Sequence, residues 1–382
     1  MSDSEWFDDH IVTERSRAWA ATMDGHEADE VRTAHQDSSA RIAPRRALLR
    51  EEREAELDAS LVFGATRPRG SGTRSREEAP DPVRTCFERD RDRILHGSAF
   101  RRLSGKTQVF IFPTDHQRTR MTHALEVAQV ARSIAQALRL NIALAEAIAL
   151  GHDCGHGPGG HASEDALSPF IDEGYDHAVW GADVVLAPLN LCTETLDGIR
   201  NHSWSRPAPR TPEGEVVSWA DRIAYVCHDF EDAVYTGLVR PSDLPPIVQE
   251  VCGTSRSSQL NSFIVAMVTA TASTGVISMT DQTAKALAEF RRWNYENIYL
   301  RPASVSQALA VHRLLQALVE HYATTPHDLP DGADLAPKSP EAFRLAVGYV
   351  GGMTDRFACE TAVTKIGWSR SDLPQGIGVV RL

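Results

Sequence analysis

Residues 150–165, LGHDCGHGPGGHASED, set three histidines and three carboxylates among glycines, directly after the apolar run NIALAEAIAL. Imidazoles and carboxylates together ligate divalent cations and move protons near neutral pH. His152 and Asp153 are adjacent at the end of what the apolar pattern predicts to be a buried helix, and Gly151 and Gly155 let the chain leave it tightly. Polar groups buried at such a place need partners. One metal ion would satisfy them together, with further ligands arriving from other helices. The candidates are His123, at the start of the amphipathic stretch THALEVAQVARSIAQAL, and Asp221, off the apolar stripe of a later helix. His123, His152, Asp153 and Asp221 make two imidazoles and two carboxylates. That set suits Mn²⁺, Mg²⁺, Fe²⁺ or Zn²⁺ and leaves positions open for water and phosphate, which is a catalytic arrangement.

Helices must carry these groups. Leu125, Ala128, Ala131, Ile134, Ala135 and Leu138 recur at helical spacing, and so do Val216, Ala220, Ile223, Cys227, Phe230 and Val234. On the second of these helices Asp221, Tyr225 and Asp229 are four apart and share a separate face. No strand alternation persists beyond residue 86, so the expected class is all-α, without internal repeats. Residues 1–82 read as a flexible, partly helical N-terminal region: 43–61 predicts an exposed helix, and RPRGSGTRSREEAPDP at 67–82 a flexible loop. Residues 83–382 then form the main domain, with its core at about 118–240 and a helical C-terminal extension.

With 382 residues, 42% of them hydrophobic, the chain can build a sizeable core. Six cysteines without a CxxC pair predict reduced thiols and a cytoplasmic protein. The acidic start MSDSEWFDDH lacks the pattern of a signal peptide, and SFIVAMVTATASTGVI at 262–277 is too short and too polar to span a bilayer. A net charge of −12 argues against generic nucleic-acid binding, although 89–106 is a basic patch. GHGPGG lacks the GK[ST] ending of a phosphate-binding P-loop.

The segments THALEVAQVAR, GHDCGHGPGGHASE and SWADRIAYVCHDFEDAV resemble the H…HD…D signature of the HD-domain superfamily, specifically its deoxynucleoside triphosphate triphosphohydrolases, the dGTPase-like proteins. RDRDRILHGSAFRRLSGKTQVF and GGMTDRFA resemble two further segments of that family, in the same order, so the likeness runs from about residue 83 to about 360. The resemblance implies an HD-domain helical bundle with additional C-terminal helices. It implies hydrolysis of dGTP or several dNTPs at the α-phosphorus, releasing deoxynucleoside and inorganic triphosphate. Mn²⁺ or Mg²⁺ is the implied metal, one ion per site, held by the four residues chosen above. His161 corresponds to the catalytic acid/base, Glu164 to the carboxylate that orients it, His156 to a residue near the phosphates, and His177 to another active-site histidine. Arg120 and Arg222 correspond to residues that reach the triphosphate, and Gln108, Tyr225 and Asp229 to residues that contact the deoxyribose.

Members of the family assemble as tetramers or hexamers, and some are activated by a dNTP at a second site, so a homo-oligomer with a dNTP activator is compatible with the resemblance. Two departures stand out. Ala178, Val179 and Trp180 replace the usual Asn-Ala-Gln, which puts the nucleotide contact there in question, and Gly159 replaces Phe, which predicts a looser pocket floor. The rival readings are another HD-type nucleotide phosphohydrolase and a non-enzymatic dNTP- or nucleic-acid-binding regulator.

Overall fold

The computed structural model describes residues 13–113 and 116–376. Among them are sixteen α-helices and one two-stranded hairpin, so the fold is all-α in its architecture. Two compact units divide at Leu48/Leu49. The first holds α1 (Glu14–Ala20), capped by Thr13 Oγ1, which accepts from Ser16 N at 3.1 Å. It also holds the antiparallel strands β1 (His26–Ala28) and β2 (Val31–Thr33), paired His26 to Thr33, with Asp29 in the left-handed region at the turn. The sequence pattern does not announce this hairpin, because two three-residue strands with no buried residue carry no periodic signal.

The second unit begins with α2 (Arg50–Ser60), shorter than the helix expected over 43–61, and continues with α3 (Cys86–His96) and α4 (Ser98–Arg102). Arg53 joins α2 to α3 through a 2.7 Å pair with Glu88. The 67–82 segment is coil, but it is pinned. Arg74 donates to Asn190 O at 2.5 Å and to Cys86 O at 3.0 Å, and it pairs with buried Asp90 at 2.6 Å.

Three helices lie at the centre of the first core: α5 (Arg120–Ala137), α6 (Ile142–Gly151) and α10 (Pro212–Tyr235). Each starts at a polar cap. Thr122 Oγ1 accepts from Thr119 N, Asn141 Oδ1 from Leu144 N, and Thr211 Oγ1 from Gly214 N. Pro212 at the first turn of α10 costs no hydrogen bond there. Val216, Ala220, Ile223, Cys227 and Phe230 are buried as their spacing predicts, and Val234 is partly so. On α5 the expected stripe needs correction: Leu125 is 45% exposed, and the buried face runs through Ala124, Val127, Ala128, Ala131, Ile134 and Ala135. The helix drifts at 3.6 residues per turn, so the stripe centred one residue earlier faces α6 and α10.

Between α6 and α10 lie α7 (Ala162–Leu167), α8 (His177–Trp180) and α9 (Thr193–Arg200). The chain continues through α11 (Pro246–Cys252), α12 (Arg256–Thr274), α13 (Asp281–Asn294), α14 (Pro302–Thr324), α15 (Pro340–Gly351) and α16 (Asp355–Ile366). A second core joins α7 to α14, α15 and α16 through Leu167, Leu314, Leu315, Leu318, Val347, Val350 and Ala358. Trp180 is buried in it against Tyr175, with ring centroids 5.1 Å apart, so the departure at 178–180 serves packing. All six cysteines are free, and among the described residues no helix is long and apolar enough to cross a membrane.

The loop after α6 is packed to backbone contact. A β-carbon on Gly155 would lie 2.0 Å from His177 O and 2.5 Å from Gly181 N, atoms that cannot rotate away. Gly155→Ala is therefore expected to destabilise the fold by about 3 kcal/mol or more in chemical denaturation. An unchanged unfolding midpoint would mean that 155 does not pack on 177–181.

Candidate metal centre and active site

His123 enters from the first turn of α5, His152 and Asp153 from the end of α6, and Asp221 from the middle of α10. His123 Nε2 lies 3.0 Å from Asp221 Oδ1, and His152 Nε2 lies 3.4 Å from Asp153 Oδ1 and 3.7 Å from Asp221 Oδ1. The ligand atoms of His123, His152 and Asp153 all fall within 4.8 Å of one another. His152 Nδ1 is 2.7 Å from Ala149 O, which fixes its proton on that side and turns the Nε2 lone pair toward the carboxylates. That Nε2 is buried and has no hydrogen-bond partner. A buried lone pair facing two carboxylates is unfavourable by itself and is satisfied by a cation, so this cluster could hold a divalent metal. Burial would raise the Asp153 pKa, but the Arg120 guanidinium, at 2.6 Å from Oδ2, and the His152 and His156 imidazoles hold it well below the usual carboxylate range.

Beside this cluster three imidazoles stack. The His156 ring lies 3.7 Å from that of His177 and 4.9 Å from that of His161. Asp153 Oδ1 lies 3.3 Å from His156 Nε2. His161, exposed on the open side, immediately precedes α7, and its Nδ1 lies 3.4 Å from Arg120 Nη2. Desolvation of the ring among its packed neighbours and the Arg120 charge push the His161 pKa down to about 4 against the pull of Glu164, so the ring is neutral at neutral pH. Glu164, expected to orient His161, instead hydrogen-bonds His177 Nδ1 at 3.1 Å, while a ligand-capable atom of His161 stays within 4.8 Å of it.

His202 joins the site although the sequence pattern does not single it out. Its Nε2 lies 3.2 Å from His177 Nε2, and its ring is 5.0 Å from that of His152. His202 Nδ1 gives its proton to Ile199 O at 2.8 Å, so its Nε2 is an acceptor and His177 must donate. His177 is suited to that: burial lowers its pKa, but the bond to Glu164 and the charge of Asp153 more than offset this. The one sequence signal for His202 is its membership of the eight histidines between 116 and 228.

Arg120 is buried, and its Nε lacks a partner. Arg222 stacks on Trp204, 3.3 Å from the ring centroid, and its Nε is also a buried donor without a partner. Gln108 presents a buried, unpartnered Oε1, and among the described residues no hydrogen bond joins it to the metal cluster. Tyr225 and Asp229 extend the Asp221 face of α10, and that face is covered. Arg291 Nε of α13 donates to Tyr225 Oη at 2.7 Å, and the Tyr299 hydroxyl donates to Asp229 Oδ2. Arg291, Tyr299 and Trp204 carry no signal in the sequence. Gly159, at φ +75°, packs against Val311, whose Cγ1 would lie 2.5 Å from an added β-carbon. Val311 thus packs where a side chain at 159 would lie.

Burial pushes the Asp229 pKa up to about 7, against the pull of the Tyr299 hydroxyl bond. Between about pH 4 and 7 the folded protein thus keeps a proton that the unfolded chain has released, and stability falls as pH rises through that window. Each tenfold difference in proton affinity between the folded and unfolded chain corresponds to about 1.4 kcal/mol. Asp229→Asn keeps the acceptor for Tyr299 and removes the titration, so its thermal melts should exceed those of the wild type at pH 8 and match them near pH 4. Parallel pH profiles would refute the assignment.

Residues 120–226 match the HD domain, and residues 277–363 match the phosphohydrolase-associated domain. The chain is 39% identical over 320 residues to a deoxyguanosinetriphosphate triphosphohydrolase-like protein of Caldanaerobacter subterraneus subsp. tengcongensis, covering 79% of this chain and 91% of that one. Proteins of the same description are 39% identical over 308 residues in Clostridium perfringens, covering 77% and 90%, and 36% identical over 334 residues in Desulfatibacillum aliphaticivorans, covering 80% and 94%.

Proposed function

This chain belongs to the deoxyguanosinetriphosphate triphosphohydrolase-like family of HD-domain phosphohydrolases, and from that premise we propose that it hydrolyses dGTP or several dNTPs to deoxynucleoside and inorganic triphosphate. The observation that carries the reading is the buried, partnerless His152 Nε2 facing Asp153 and Asp221, beside a histidine stack that opens to solvent at His161. His123, His152, Asp153 and Asp221 would hold one divalent ion, Mn²⁺ or Mg²⁺. Bound there, the ion supplies a Lewis acid for a phosphoryl oxygen. Water adds to the α-phosphorus, the bond to the 5′-oxygen breaks, and the proton lost by the water ends on that oxygen. His161 moves this proton, because its neutral ring can accept it and its place on the open side can reach it.

Arg120 and Arg222 neutralise the triphosphate, each with a buried Nε donor to offer. His156 and His177 add polar contacts near the phosphates. Gln108 offers a free acceptor to a sugar hydroxyl, and Tyr225 and Asp229, held by Arg291 and Tyr299, are the candidates on α10 for contact with the deoxyribose. The test is incubation with each of the eight common dNTPs and NTPs plus Mn²⁺ or Mg²⁺, with products resolved by chromatography. Deoxynucleoside together with inorganic triphosphate is the expected result. Release of orthophosphate or pyrophosphate instead would overturn the reading.

A further inference from the structure

SGKT at 104–107 and GGMTDRFA at 351–358, whose side chains the chemistry above does not use, meet at the histidine loop. Lys106 is 3% exposed, and its Nζ donates to His156 O and, at 2.9 Å, to Gly351 O. The next residue, Thr107, donates from its backbone N at 2.9 Å and from Oγ1 at 2.5 Å to Asp355 Oδ2. Asp355 Oδ1 accepts from Gly159 N at 2.9 Å, and the residue is 6% exposed. The backbone of His156 and Gly159 is therefore held by two buried ionisable side chains, Lys106 and Asp355. A loop reading HGPGGH has little to hold its own shape, since Gly159 and Gly160 both adopt positive φ and proline donates nothing. A further tie to the loop backbone from a side chain is the bond from Gly157 N to Ser163 Oγ at 3.0 Å.

We propose that Lys106 and Asp355 are positioning residues that set the 156–161 loop, and with it His156 and His161, and that the phosphohydrolase-associated region contributes to the active site by supplying the Gly351 and Asp355 half of this clamp. The inference rests on the assignment of His156 and His161 to phosphate hydrolysis. It accounts for why the chain brings residues 245 and more positions apart to one loop. Both side chains bond to the loop backbone and to Thr107 or Gly351, away from the four candidate metal ligands, so the clamp acts on geometry.

The test compares wild type and Asp355→Asn, whose amide turns a donor toward a donor. Thr107→Val, which removes a single hydroxyl and keeps the buried carboxylate, is a second variant should Asp355→Asn fold poorly. Three quantities are read: dNTP turnover, Mn²⁺ affinity, and amide exchange of the peptide spanning 155–163. For Asp355→Asn, kcat should fall about 10- to 100-fold with KM within about threefold. Exchange of the loop peptide should rise about tenfold or more while the helices keep their protection and Mn²⁺ affinity holds within about twofold. Thr107→Val should show the same pattern at smaller size. Unchanged loop exchange overturns the clamp, and so does a kcat loss accompanied by equal deprotection of the helices. A wild type without dNTP turnover would overturn the functional reading, yet the exchange measurement would still decide the clamp.

Discussion

Asp153→Asn should abolish Mn²⁺ binding and lower turnover by about 10³-fold or more, since it removes a charged candidate ligand from a site that depends on it. The substitution keeps the size of the side chain, so the change is electrical. Asp153 stands at the junction of the site: Oδ1 faces His152 and His156, and Oδ2 receives Arg120. Without the charge, two imidazoles lose a shared neighbour and a buried guanidinium loses its counter-ion. Removing one partner of a buried pair costs about 3–5 kcal/mol, so the variant should also melt earlier than the metal-free wild type while its helical circular dichroism at about 25 °C persists. His123→Ala should lose metal and activity too, with a smaller stability penalty, because Asp221 is partly exposed and can be solvated once its partner is gone. Metal titration and product analysis on the same preparations are the check. Turnover retained by a variant that binds no metal would remove these residues from the metal assignment.

What the sequence makes visible follows from periodicity and local chemistry. The stripe of α10 is legible because one helix carries it without interruption, and the polar face at Asp221, Tyr225 and Asp229 follows from the same spacing. Read alone, that face suggests solvent exposure. The structure instead covers it with Arg291 and Tyr299, which come from 66 and 70 residues away, and no local pattern announces such a partner. His202 is hidden for the same reason: it follows α9 as an isolated residue and becomes part of the site only where that helix end meets α6 and α8. Lys106 and Asp355 lie in motifs that carry the family resemblance, yet their task is a set of bonds to backbone atoms, which leaves no trace in residue type. Gly159 shows the opposite limit. A missing side chain suggests a gap, but Val311 of α14 fills it, so volume at a position is decided by whatever packs on it.

His161→Ala is expected to retain Mn²⁺ affinity and nucleotide binding while kcat falls by about 10²- to 10⁴-fold, the range set by losing a positioned proton-transfer group. His161 lies outside the cluster of His123, His152, Asp153 and Asp221, so its loss leaves that donor set whole. It is also exposed and precedes α7 without capping it through its side chain, so the fold should be little affected. The ring touches the reacting region through Arg120, 3.4 Å from Nδ1, and that arginine keeps its bond to Asp153 in the variant. The loss should therefore fall on kcat with KM nearly constant, and added imidazole should restore part of the rate by entering the space vacated. Single-turnover measurements separate this step from product release. A variant with wild-type kcat would show that the proton is carried by another group, and His177, already held by Glu164 and His202, would be the next to substitute.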